Sequence, residues 1–358
     1  MAIYKIFSGK DSTLYSYYPT QNTGLDEILE VGVRNSALSL NSVDDIRRAL
    51  VYFDNSDLDK IKSFTTGSWA TYLRLYLANA ENLNTSYTVL IQQVSQSWEM
   101  GTGKYGDSPV TTNGVCWYTT SSWVSGTNTN WNNPVYYITN GGGSWTNVSS
   151  SQTFNYKDNK DINANVTNIV NTWFSGSAQN HGFLLKLPYS QEANSGSYMT
   201  LAYFSVDTHT IYPPTLEMKW DDSSYNTGSL QVINNSDFVV TLENNMNTFK
   251  WNTEKYMFRV NARDKYPVRT FTTSSVYLVN KALPQTSYWA IQDVKTEDMI
   301  FDFDTNYTKI SCDSTGSFFN VYMNGLEPER YYKVLIKTTL STGETIDIDN
   351  NLIFKVVR

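Results

Sequence analysis

Residues Asp161–Pro188 read DINANVTNIVNTWFSGSAQNHGFLLKLP. Ile162, Val166, Ile169, Val170 and Trp173 recur on one face among Asn and Thr, so the first half predicts a short amphipathic helix. Phe174-Ser175-Gly176-Ser177 ends it, because glycine accepts the left-handed conformation that closes a helix. His181–Leu187 then reads as an apolar strand stopped by Pro188. A single helix inserted among strands fits an all-β sandwich.

Outward from this stretch the pattern is one of strands. Ala2 to Phe7 alternates, Lys10-Asp11-Ser12-Thr13 reads as a turn, and Arg48 to Phe53 is a strongly apolar strand. Trp69 to Leu77 alternates with Trp69, Leu73, Leu75 and Leu77 on one face, and Tyr87 to Val94 is a second central strand. Leu58, Ile61 and Phe64 recur at helical spacing and predict a helical turn. The longest irregular region, Glu99 to Val148, holds Trp117, Trp123, Trp131 and Trp145 among Gly, Ser, Thr and Asn. Loops of that length in compact domains are usually functional. Its tryptophans suit stacking on sugar rings, contact with a protein neighbour, or plugging the open end of the sandwich.

After Trp220 the texture changes. Residues 223–228 are polar turn formers and read as a linker. From Ser229 short strands recur, among them Leu230–Ile233, Phe238–Leu242, Tyr256–Val260, Ser275–Val279 and Tyr331–Thr338. Regular strands with turns between predict an immunoglobulin- or fibronectin-like sandwich, with room for an added hairpin. Within Asn324–Tyr332, NGLEPERYY, the Gly-Leu-x-Pro followed by tyrosines matches the corner of such modules, where a tyrosine hydroxyl ties the loop. The expected organisation is residues 1–222, a linker at 223–228, and residues 229–358.

The bulk properties narrow the function classes. The chain of 358 residues holds 26 Tyr, 16 Phe and 10 Trp, and only 17% of it is charged. That aromatic content excludes disorder. A net charge of −7 argues against sequence-independent nucleic-acid binding, which needs clustered Lys and Arg. The pair Arg47-Arg48, beside Asp44 and Asp45, reads as solvated surface. No run of ~20 apolar residues is present to span a membrane. The opening MAIYKIFSGKDSTLYSYYP lacks a charged segment followed by an apolar export core, which fits either a virion protein made in the cytoplasm and released by lysis or a mature secreted fragment. Cys116 and Cys312 fall in different predicted domains and read as two buried thiols.

No catalytic pattern stands out. His181 and His209 lack a G-x-S-x-G partner or a second histidine at metal-ligand spacing. The carboxylate pairs Asp302/Asp304 and Asp347/Asp349 read as charged strand edges, which discourage edge-to-edge association. Oxygens at Asp158-Asn159-Lys160-Asp161 and Asp347 to Asn351 suit Ca²⁺, and equally suit turns. No other cofactor is expected.

Two resemblances add to this reading. The stretch around Val170–Lys186 resembles the signature of DNRLRE-type jelly-roll domains of bacterial surface and phage proteins. Arg48–Phe53, Ser97–Gly103, Thr112–Trp117 and Pro213–Met218 follow in matching order, so the likeness covers roughly residues 1–222. Tyr266–Leu278, Lys281–Pro284, Ile300–Asp304 and Leu326–Tyr332 are similar to C-terminal regions of structural proteins in tailed bacteriophages. The resemblances imply a structural component of a virion neck, collar, tail or fibre, assembled with other virion proteins and copies of itself and released by lysis. The alternative they imply is a carbohydrate-binding module for a host surface glycan. Trp117, Trp123, Trp131 and Trp145 are the contact residues expected under either reading.

Overall fold

The structure, a computed structural model, describes residues 2–35, 44–65, 67–83, 86–123, 131–132, 141–193, 199–243, 247–252, 255–267 and 278–358. It is all-β, with three short α-helices among the described residues where the sequence predicts one principal helix. The chain forms two compact units. One is Ile6–Phe64 with Ala70–Glu217; the other is Met1–Lys5 and Thr65–Trp69 with Met218–Arg358. No helix among the described residues is long and apolar enough to cross a membrane.

Twelve strands precede residue 221: β1 (Ala2–Phe7), β2 (Lys10–Tyr15), β3 (Ile28–Asn35), β4 (Asp44–Tyr52), β5 (Trp69–Leu75), β6 (Leu77–Glu81), β7 (Tyr87–Val94), β8 (Trp145–Phe154), β9 (Ile162–Asn165), β10 (Phe183–Lys186), β11 (Met199–Phe204) and β12 (Thr215–Trp220). One sheet runs β1-β12-β5-β9; the other runs β6-β11-β3-β4-β10-β7-β8, with β2 also paired to β4. From β4 onward the chain passes between sheets, with β5 in the small one, β7 and β8 in the large, then β9, β10 and β12 by turns. This is a jelly-roll order of two interlocked Greek keys. Burial follows the period of two: β7 buries Tyr87, Val89, Ile91 and Gln93 and leaves the intervening residues half-covered.

Three local expectations are corrected. The helix α2 spans only Thr167–Phe174; Ile162–Asn165, read as its first turn, is strand β9, paired to β5 with Leu73 opposite Ala164. Asn165 explains the switch. Its Oδ1 accepts the Thr167 N–H at 3.0 Å, so the helix starts after it. The helix ends as predicted, with Gly176 at φ +74°. Trp69–Leu77 is not one strand, because the chain leaves the small sheet at Tyr76 and enters β6 of the large one. Asp161 Oδ1 takes the Leu77 N–H at 2.8 Å at that crossing. Lys10-Asp11-Ser12-Thr13 is strand, not turn, because it pairs residue by residue with β4 and finds buried polar partners. Thr23 Oγ1 donates to the Thr13 carbonyl at 2.7 Å, and Asp11 Oδ2 accepts the Val206 N–H at 2.7 Å. The predicted helical turn at residues 56–65 is α1 (Asn55–Phe64), which buries Leu58 and Ile61. A third helix, α3 (Tyr189–Glu192), starts at Pro188.

The other unit carries β13 (Phe238–Leu242), β14 (Thr248–Lys250), β15 (Tyr256–Asp264), β16 (Ser287–Asp293), β17 (Met299–Phe301), β18 (Ser311–Asp313), β19 (Gly316–Val321), β20 (Arg330–Thr339) and β21 (Thr345–Val357). Its sheets run β13-β15-β19-β18 and β14-β21-β20-β16-β17, an immunoglobulin-like arrangement. The hairpin β20–β21 belongs to the second sheet. Leu230–Ile233 is not a strand; only a single bridge joins Val232 to Ala282. Of the predicted strand Ser275–Val279, residues 275–277 lie outside the described residues. Residues 223–228 are tied along this unit: the Cys312 N–H donates to the Ser224 carbonyl at 2.9 Å and the Asn226 N–H to the Cys312 carbonyl at 3.0 Å.

Two features of this sandwich follow from single residues. Trp289 on β16 is 1% exposed and stacks on Phe319 at 5.1 Å, with Phe258 continuing the stack at 5.3 Å. Tyr332 on β20 donates its hydroxyl to the Glu327 carbonyl at 2.9 Å, the corner tie that NGLEPERYY predicts. Cys116 and Cys312 are both buried free thiols, so the core holds without a disulfide. Tyr332→Phe is expected to cost about 1 kcal/mol, one hydrogen bond. Trp289→Ala is expected to cost about 3–5 kcal/mol. Urea denaturation of both variants measures the two.

Candidate binding surface

Arg47 and Arg48 decide how the long loop is held. Strand alternation sends them to opposite sides of β4. Arg47 donates to Glu30 Oε2 at 2.6 Å and to Asp45 Oδ2 at 2.9 Å, and its guanidinium lies 5.3 Å from the Tyr15 ring centre. Arg48 donates Nε and Nη2 to the two Glu192 carboxylate oxygens at 2.9 and 2.8 Å, and Nη1 to the Gly142 carbonyl at 2.7 Å. The rings of Trp117 and Trp145 flank it at 5.0 and 5.5 Å. Lys186 shares the same carboxylate at 3.5 Å and the same Trp145 ring at 5.0 Å. The two arginines are only 3% and 7% exposed, which corrects their reading as solvated surface. Arg47 has two carboxylates and one aromatic face, Arg48 one carboxylate shared with Lys186 and two aromatic faces, and these partners make burial tolerable.

This network accounts for two of the four tryptophans expected at a contact surface. Trp117 is buried and Trp145 half-buried, both turned onto Arg48. Trp131 is buried too, its indole N–H donating to the Cys116 carbonyl at 3.1 Å. Trp123 is half-buried, and its backbone N–H donates to the Thr112 carbonyl at 2.8 Å. Trp117 and Trp131 therefore act as plugs within the loop and present no ring face outward.

What the loop presents instead is tyrosine. Asn22 organises it with a fully buried amide. Its Nδ2 donates to the Met100 and Val115 carbonyls at 2.7 and 2.8 Å, and its Oδ1 accepts the Gly24 and Gly103 N–H groups at 3.2 and 2.8 Å. One side chain thus cross-links three chain segments. Around it Tyr18, Tyr105 and Tyr118 stand 40%, 47% and 37% exposed. They are held in place: Tyr18 meets Tyr105 edge-on at 5.7 Å and Tyr17 at 4.9 Å, and Tyr105 lies 4.9 Å from buried Tyr15. The Tyr118 N–H donates to the Pro19 carbonyl at 3.2 Å, and the Tyr105 N–H to Asp26 Oδ1 at 2.9 Å. Burial pushes the Asp26 carboxyl up to about 6, against the pull of that hydrogen bond. Nothing in the periodicity of residues 95–123 marks these tyrosines, because the order is made by side-chain hydrogen bonds.

The remaining chemical candidates have partners within the protein. No group of three or more His, Cys, Asp or Glu side chains comes together among the described residues. At the first calcium candidate, Asp161 spends Oδ1 on Leu77 and Oδ2 on Asn159, and the Lys160 ammonium sits on the Tyr156 and Asp158 carbonyls. At the second, Asp347 and Asp349 face Lys337 and Lys333 at 3.5 and 2.8 Å. Asp304 Oδ1 accepts the Asn306 and Tyr307 N–H groups, a turn. His209 is 91% exposed, 3.8 Å from Glu27. No family model matches the chain, and no curated protein sequence matches it.

Glu192→Ala would leave Arg48 and Lys186 buried without their carboxylate, at an expected cost of about 3–5 kcal/mol by chemical denaturation. Asp26 sets a pH dependence. Its folded-state pKa is raised, so between the usual carboxylate range and about 6 the native state keeps a proton that the unfolded chain has lost. The Asp26 contribution is whole below that window and falls as pH rises through it. Asp26→Asn flattens this part of the slope in a series of urea midpoints.

Proposed function

We propose that this chain is a structural protein of a tailed-phage particle, working without catalysis by assembly with other virion proteins and copies of itself. The tyrosine face carries the reading. Tyr18, Tyr105 and Tyr118 are exposed yet pinned by rings and backbone. Tyrosine is enriched at protein interfaces, and a preordered ring adds contact area at little entropic cost. The jelly roll and the immunoglobulin-like sandwich support it further, because both fold classes are those that the two resemblances imply. On this reading the chain is made in the host cytoplasm, released by lysis, and neither binds nucleic acid nor enters a membrane. The neck, collar, tail and fibre attachment are the positions that fit.

Mass spectrometry of density-banded particles tests it. The native chain is expected at a fixed copy number per particle. The triple variant Tyr18→Ala, Tyr105→Ala, Tyr118→Ala is expected to be lost from particles while its melting temperature stays close to that of the native chain. A native chain absent from particles overturns the virion reading; a triple variant incorporated at native copy number overturns the tyrosine face.

A further inference from the structure

We propose that a cleft of about 510 Å³ in the jelly-roll unit is a binding site for a neutral saccharide. The cleft lies between α1, the end of α2, the turn leading into β10 and Ser97-Trp98 at the start of the long loop. The inference does not depend on the assembly reading. Its volume falls within the ~300–1,000 Å³ of small-molecule sites.

Two sets of side chains line it. Trp173 and Phe174 supply half-buried aromatic wall, while the Tyr52 ring and the buried Trp98 ring in the lining carry the Lys10 ammonium. Asp59, Ser97, Gln179 and His181 supply polar groups whose side chains form no hydrogen bond or ion pair among the described residues. Aromatic rings beside uncommitted donors and acceptors are what a pyranose presents a need for, since its C–H faces pack on rings and its hydroxyls both donate and accept. His181 suits that pattern as a neutral ring. Burial, and then the Lys10 charge, lower its pKa, so one nitrogen donates and the other accepts.

Charge selects against an anion. Lys10, the cation in the wall, is already committed: its ammonium donates to the Trp98 carbonyl at 2.5 Å and lies 4.5 and 4.4 Å from the Tyr52 and Trp98 ring centres. Asp54 and Glu99 act on it electrostatically, and Asp59 adds another carboxylate to the lining.

The site is also held in shape before any ligand arrives. Asn180 Nδ2 donates to the Phe53 carbonyl at 2.8 Å and to Asn55 Oδ1 at 2.9 Å, while its Oδ1 accepts the Gly182 N–H at 2.9 Å. Trp98 donates its indole N–H to the His181 carbonyl at 2.9 Å. Gly182, at φ +87°, lets the turn press onto β4, where a Cβ would stand 2.3 Å from the Val51 carbonyl oxygen. Rigid support of this kind is what a specific polar site requires.

The test uses the full chain on an array of glucose-, galactose-, mannose- and N-acetylglucosamine-terminated oligosaccharides beside sialylated and sulfated ones. The strongest neutral binder is then titrated with tryptophan fluorescence as the readout. Binding of a neutral glycan with a shift in emission is expected. Gln179→Ala and Ser97→Ala, both at exposed positions, are expected to weaken it together by about tenfold or more without moving the melting temperature. Binding of charged glycans alone, no neutral binding at millimolar ligand, or an affinity unchanged in the double variant would each overturn the site.

Discussion

Arg48 is a guanidinium buried inside a β-sandwich, and much of the jelly-roll unit is arranged to make that tolerable. Glu192 answers its charge from α3, Gly142 from the end of the long loop, and Trp117 and Trp145 cover its faces. Lys186 brings a second positive charge to the same single carboxylate. Two cations on one anion would be unstable in an apolar interior; the indole faces supply the rest of the compensation. Among the described residues of 95–144, single side chains hold the chain in place of a strand ladder. It is fastened at one end of the sandwich by Arg48 and at another point by the four hydrogen bonds of Asn22.

The immunoglobulin-like unit meets a similar demand with less charge. Immunoglobulin domains place a cysteine two residues after the corner tyrosine, paired to one on the facing sheet. Here that position is Val334, fully buried, and the core is closed by rings: Phe258, Phe319 and Trp289 in a stack, with Phe354 against Phe258 at 5.4 Å and against Tyr332 at 5.8 Å. A loop is again attached to a sheet by one side chain, the Tyr332 hydroxyl. In both units a few long-range polar contacts hold irregular chain against a β framework whose own stability comes from burial.

The strand pattern and the corner at Asn324–Tyr332 were legible because alternation and a short motif are local properties. So were the helix end at Gly176 and the strand at Phe183–Lys186. The failures share a cause. Lys10–Thr13 looks like a turn until Thr23 and Val206, distant in sequence, are seen to satisfy it; Ile162–Asn165 has helical spacing, yet β5 captures it as an edge. Asp45 beside Arg47 was visible in the sequence, but Glu30 and Glu192, the other carboxylates that answer the buried pair, lie 17 and 144 residues away. Richness in aromatics singled out Trp117, Trp123, Trp131 and Trp145 in the long loop. Periodicity says nothing about which aromatic ring in an irregular segment finds a buried cation, and here Trp117 and Trp145 are the two that lie against Arg48.

The immunoglobulin-like unit is discontinuous in sequence. Lys5 donates its ammonium to the Ile300 carbonyl at 2.7 Å and accepts at its own carbonyl from Asn324, while Ile3 belongs to the same apolar core as Trp289 and Phe354. On a ribosome these residues are made some 300 residues ahead of their partners. Ile3 and Lys5 must wait through the synthesis of the whole jelly roll. The order of translation is then the reverse of a simple domain-by-domain schedule. Closing this unit therefore joins chain made before the jelly roll to chain made after it.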